Sequence, residues 1–88
     1  MRELIVTRQF TKDFRLLDPI MQSKAERVAQ QLRIRPTNIA FPIKKLQGFA
    51  RPPLWRVRLG DYRLIYTFDR TSVTLHRISH RKDVYRHL

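Results

Sequence analysis

Arg56, Arg58 and Arg63 stand in two short stretches that alternate apolar and polar residues, separated by Gly60-Asp61. A guanidinium fork binds phosphate through two parallel hydrogen bonds and stays charged at every accessible pH. Side chains alternate between the faces of a strand, so parity decides which of these residues meet. A two-residue turn at Gly60-Asp61 places Leu59 opposite Tyr62, Arg58 opposite Arg63, Val57 opposite Leu64, Arg56 opposite Ile65 and Trp55 opposite Tyr66. One face then carries Trp55, Val57, Leu59, Tyr62, Leu64, Tyr66 and Phe68, joined by Val73 and Leu75 of a third strand. The other carries Arg56, Arg58, Arg63, Ile65, Thr67, Thr74, His76 and Ile78.

Two arginines directly across an antiparallel pair repel, and a fold indifferent to function would avoid that. The bland alternative is that the arginine stems cover apolar surface while their heads splay into water. The functional reading is a concave anion site, with His80, Arg81, Lys82, Tyr85 and Arg86 entering along its rim from the tail. Trp55 and Tyr66 could stack on bases, but parity assigns them to the core. The three histidines have no recognised zinc spacing, and cysteine is absent, so thiolate metal sites and disulfides are excluded. Two glycines in the chain leave no phosphate-cradling loop.

The elements that must hold these residues follow from periodicity. Leu4–Thr7 reads as an opening strand. Phe10, Phe14 and Leu17 recur at helical spacing. Asp18-Pro19 stops that helix and starts another, Asp as N-cap and Pro at the first helical position. Met21, Ala25, Val28, Ala29 and Leu32 form the second stripe, and Pro36 ends it. A long Pro-containing connection follows, with a candidate strand at Ile43–Leu46. Three strands close the chain, over Leu54–Leu59, Tyr62–Phe68 and Val73–Ile78. The expected fold is α+β: an N-terminal strand and a helical hairpin packed on one face of a mainly antiparallel, three- to four-stranded sheet, in the order β-α-α-β-β-β.

Composition narrows the partners. The 88 residues read as one small domain, and their 42% apolar content suits one modest core. The formal net charge of +12 calls for a polyanion, nucleic acid first and an acidic protein second. A membrane surface ranks third, because no long basic amphipathic helix is present. No apolar run is long enough to span a bilayer, and the first residues are too charged for a signal peptide. A cytoplasmic protein is the expectation.

Leu59-Gly60-Asp61-Tyr62-Arg63-Leu64-Ile65-Tyr66 resembles the central hairpin of the RelE/ParE toxin superfamily. Ile78-Ser79-His80-Arg81-Lys82-Asp83-Val84-Tyr85-Arg86 resembles the C-terminal signature of its RelE branch. Lys44-Lys45-Leu46-Gln47-Gly48 resembles the segment preceding the hairpin. The element order matches as well, so the likeness covers nearly the whole chain. The resemblance implies the toxin of a type II toxin–antitoxin system, an endoribonuclease cutting mRNA in the ribosomal A site without metal or other cofactor. It implies an antitoxin partner, expected to be acidic and encoded nearby.

Within the resemblance, Arg63 corresponds to the arginine of the hairpin motif, Arg81 to that of the C-terminal basic motif, and Tyr85 to the tyrosine after it. Arg56 and Arg58 stand where the best-studied branch carries two lysines, and arginine does not exchange protons as lysine can. Cleavage by a ribose 2′-hydroxyl needs a base, an acid and cations on the phosphorane. The arginines suit the last task. Tyr85 is the family-matched base, its phenolate favoured by Arg81, Lys82 and Arg86. His80 and His76 are rivals, and the acid is His80 or a ribosomal group. Arg56, Arg58, Lys44, Lys45, Lys82, Arg86 and His76 are assigned to RNA and phosphate binding. The competing readings are a gyrase inhibitor of the ParE type and a basic RNA-binding module without activity.

Overall fold

The computed structural model describes residues 1–48 and 51–84. They form β1 (Glu3–Val6), α1 (Arg8–Arg15), α2 (Pro19–Ile34), β2 (Ile43–Lys45), β3 (Trp55–Leu59), β4 (Tyr62–Phe68) and β5 (Ser72–His80). The strands make one five-stranded sheet in the order β1-β5-β4-β3-β2. All neighbours are antiparallel except β1, which runs parallel to β5. The sheet thus has one more strand than the upper expectation, because both the N-terminal segment and Ile43–Lys45 join it.

Local chemistry sets the helix boundaries. Thr7 caps α1, its hydroxyl accepting from Phe10 N–H at 3.0 Å. Asp18 caps α2, its carboxylate accepting from Met21 N–H at 2.9 Å, with Pro19 opening the helix. The α2 stripe of Ala25, Val28, Ala29 and Leu32 is buried, as expected. It packs with Phe10 and Leu17 against Val57, Leu59, Leu64, Tyr66, Val73, Leu75 and Ile78 of the sheet. Trp55 and Phe68 rest on this cluster with ring centroids 5.7 Å apart. Tyr66 is fully buried, and its hydroxyl donates to the Pro36 carbonyl just beyond α2. Desolvation pushes its phenol well above the ordinary range. Tyr66 is therefore a core residue and not a base-stacking platform.

The β3–β4 ladder has the pairing that parity predicts at all five positions, Trp55↔Tyr66 through Leu59↔Tyr62. Gly60, at φ 61°, supplies the positive φ that the first position of this tight turn demands. The β4–β5 ladder departs from expectation. Tyr66 faces Leu75, yet Ile65 faces Arg77, so His76 is an extra residue in a β-bulge. Beyond it the parity of β5 is reversed. Ile78 faces Leu64 and is buried in the helix-side core, not on the arginine face.

Candidate functional site

The face turned away from the helices is basic across three strands. Lys44 of β2 stands opposite Arg56 of β3, and Arg58 stands opposite Arg63 of β4. At such positions the Cβ atoms of a pair are about 5 Å apart. Arg58 and Lys44 are exposed, while Arg56 and Arg63 are partly buried. The Arg56 Nε is buried without a hydrogen-bond partner. Lys45 falls on the opposite parity, facing Trp55, and so leaves the row that Lys44 joins. It borders an open cavity of about 500 Å³ together with Gln47 and Arg51.

The basic face has a focus at the Gly60-Asp61 turn. Arg63 Nη1 donates to the carbonyls of Gly60 at 2.7 Å and Tyr62 at 2.9 Å. Arg81, just after β5, donates its backbone N–H to the Asp61 carbonyl at 2.7 Å. The two arginines, 18 residues apart in sequence, are therefore tied to adjacent residues of one turn. Arg58 stands across from Arg63 at the same end of the sheet. Arg81, Lys82 and Asp83 are exposed, and the N–H groups of Asp83 and Val84 return to the His80 carbonyl as a single turn.

Both histidines are held, in different settings. His76, at the bulge, bonds Thr67 Oγ1 through Nε2 at 2.8 Å, and Thr67 lies on the basic face. Burial pulls its pKa below the ordinary histidine value, so the ring is neutral at physiological pH. His80 is displaced from its expected place. The bulge brings it opposite Tyr62, on the parity of the helix-side face and not with Arg58 and Arg63, the two rings edge to face with centroids 5.9 Å apart. Its Nδ1 accepts from Lys82 N–H at 3.2 Å, which leaves the ring proton on Nε2. This His80 offers a donor, not a lone pair, at its outer nitrogen. In this neutral form the outer nitrogen suits a hydrogen bond to phosphate, and the ring becomes an acid only on gaining a second proton.

Parity counting missed Ser79. The bulge sets it directly across from Arg63, and its Oγ is buried without a partner. No turn residue marks the bulge in the sequence; the one available signal is that Arg77 would otherwise point into the core opposite Leu64. Tyr85 and Arg86, assigned from the resemblance, lie outside the described residues. Among the described residues no group of three or more His, Cys, Asp or Glu could hold a metal ion. Among the described residues no helix is long and apolar enough to cross a membrane.

The model of the ParE toxin family of type II toxin–antitoxin systems matches residues 4–85. The chain belongs to that family. Solved toxin structures share the toxin's fold. Over the RelB–RelE antitoxin–toxin complex from Methanococcus jannaschii the TM-score is 0.78 at 20% identity, covering 96% of this chain and 98% of the other. The E. coli DinJ–YafQ complex gives 0.80 at 17% identity, covering 96% and 97%. The RelBE2 complex from Mycobacterium tuberculosis gives 0.73 at 25% identity, covering 91% and 98%. No curated protein sequence matches the toxin. It is thus the toxin component of a type II system, on the fold these RelE-like proteins share.

Proposed function

We propose that the toxin is a ribosome-dependent mRNA endoribonuclease of the RelE kind. The single observation that supports this is the pairing of Arg58 with Arg63 on the face the helices leave open, with the Arg81 backbone tied to the Gly60-Asp61 turn beside them. Arginines brought to one end of a sheet suit the charge that builds on a phosphorane. In the proposed reaction the ribose 2′-oxygen attacks the adjacent phosphorus and the bond from phosphorus to the 5′-oxygen breaks. The products are a 2′,3′-cyclic phosphate and a free 5′-hydroxyl. Tyr85 takes the 2′-hydroxyl proton; the leaving oxygen takes one from a ribosomal group, or from His80 once its ring has gained a second proton and if it reaches round the end of the sheet from the helix-side parity.

Arg56, Lys44 and Lys82 bind the flanking phosphates, with Arg86 assigned the same role by the resemblance, Lys45 at most a peripheral contact from the opposite parity, and His76 a neutral donor or acceptor. The reaction needs no metal or other cofactor. The whole chain, 1–88, works as one toxin domain in the cytoplasm. Its inhibitor is a cognate acidic antitoxin, in keeping with neighbours solved as toxin–antitoxin complexes.

The matching family model is named for ParE toxins, which keeps a second reading in play, a ParE-like inhibitor of DNA gyrase without nuclease activity. Two assays on the same purified toxin separate them. Cuts phased with codons in a translated reporter mRNA, together with unimpaired gyrase supercoiling, support the nuclease. Intact mRNA with blocked supercoiling supports the gyrase inhibitor. Intact mRNA with unimpaired supercoiling and tight, salt-sensitive RNA binding leaves a binding module.

A further inference from the structure

β1 covers β5 only from Ser72 to Leu75. Past Leu75, among the described residues, the outer edge of β5 has no strand beside it, and α1 takes over. Thr7 donates its backbone N–H to the Leu75 carbonyl at 3.1 Å and its hydroxyl to the His76 carbonyl at 3.0 Å. One turn and a half further along α1, Asp13 accepts from Ile78 N–H at 3.1 Å. The Arg77 guanidinium donates to the same carboxylate at 3.0 and 3.4 Å, and Gln9 Nε2 at 2.9 Å. Asp13 is only 7% exposed, in a helix whose other buried residue is Phe10.

A buried carboxylate with four donors is not a surface ion pair. It occupies the hydrogen-bonding site that a neighbouring strand would fill, and it neutralises the arginine that the bulge delivers to that edge. Three residues beyond Ile78 comes Arg81, whose N–H is tied to the Asp61 carbonyl. The stretch between them includes Ser79 opposite Arg63 and His80 opposite Tyr62. Asp13 therefore clamps the outer edge of the segment whose inner edge meets the site.

We propose that Asp13 is a positioning residue for the basic site: its bond to Ile78 N–H fixes the far half of β5 and so holds Arg81 beside Arg63. The effect on cleavage rests on the nuclease reading, whereas the effect on the Arg81 backbone does not. Nothing in this role requires Asp13 to touch RNA. The carboxylate acts through the strand it grips, as α1 stands in for a missing edge partner.

Amide hydrogen exchange and single-turnover cleavage on programmed ribosomes, applied to Asp13→Ala and Asp13→Asn, test this. In Asp13→Ala, exchange at Ile78 should rise about tenfold, the equivalent of one lost hydrogen bond. Exchange at Arg81, whose own bond to Asp61 is untouched by the substitution, should rise with it. The cleavage rate should fall at least about tenfold, while ribosome affinity stays within about threefold. Asp13→Asn keeps an oxygen for Ile78 N–H and should restore both exchange and rate to within about threefold. Faster exchange at Ile78 with Arg81 exchange and rate unchanged would reduce Asp13 to a local edge cap and overturn the proposal. Should Asp13→Ala not fold, Asp13→Asn decides alone, since a folded Asn variant with Arg81 unprotected contradicts the role given to the Ile78 bond. If the wild type does not cut mRNA, the nuclease reading fails, and Arg81 exchange still passes or sinks the clamp.

Discussion

Ser79 stands directly across from Arg63 in the β4–β5 ladder. The residue there would be Ile78 without the bulge at His76. One extra residue thus replaces an exposed isoleucine on the basic face by a hydroxyl and returns the isoleucine to the core. Folding and function agree on this shift. Burial of Ile78 favours it, and the polar character of the face is kept by it.

The Arg58↔Arg63 pair repels in the absence of an anion. Removing one charge should relieve that. Arg58→Ala is expected to leave the toxin as stable as the wild type or more stable, by about 0.2–1 kcal/mol in low salt. Cleavage should be strongly impaired. Urea unfolding and single-turnover cleavage on one preparation check both halves; a destabilised Arg58→Ala would show that the pair is not under electrostatic strain.

RNA affinity should depend steeply on salt, because the row Lys44, Arg56, Arg58, Arg63 meets successive phosphates. For a single strand the slope of log K against log salt is about −0.7 per phosphate neutralised. Lys44→Ala should reduce the slope by about that amount. Lys45→Ala, on the opposite parity, should change it less. Equal changes would argue that the face does not sort these neighbouring lysines.

Stability should fall on mild acidification through His76. Burial lowers the folded pKa below the ordinary value of 6.5. Above that value both folded and unfolded chains are neutral at this ring, and no penalty arises. As pH drops below 6.5 the unfolded chain takes up a proton first, so unfolding gains, until the folded pKa is also passed. The urea midpoint of the wild type should therefore decline from about pH 6.5 downward. His76→Gln should show a flatter profile over the same interval.

Tyr66→Phe removes the donor to the buried Pro36 carbonyl and should cost about 1–3 kcal/mol in urea unfolding. RNA binding and cleavage should be unchanged, because Tyr66 lies wholly within the helix-side core. A loss of RNA affinity without loss of stability would return this ring to the base-stacking role.

The sequence was most legible where a local device dictates geometry. Gly60-Asp61 fixed the turn, and the turn fixed the facing of every residue from Trp55 to Tyr66. Asp18-Pro19 likewise gave the start of α2. The second half of β5 was illegible for an equally specific reason. A bulge is one residue long, needs no glycine here, and reverses every later side chain, so Ile78 and His80 changed faces while Ser79 entered the site. The parallel pairing of β1 with β5 joins residues some 70 positions apart, and no nearby pattern encodes it. The clamp at Asp13 has the same character, since its partners Arg77 and Ile78 are 64 and 65 residues away.

The central claim is that arginines at the Gly60-Asp61 turn act on the phosphate as it is cleaved. The most direct measurement compares Arg81→Ala with the wild type in single-turnover cleavage and in ribosome affinity. The rate should fall about 10²–10³-fold, the scale of one lost transition-state donor, with affinity held within about threefold. Rate and affinity falling together by the same factor would contradict the claim and leave Arg81 as a simple anchor for RNA.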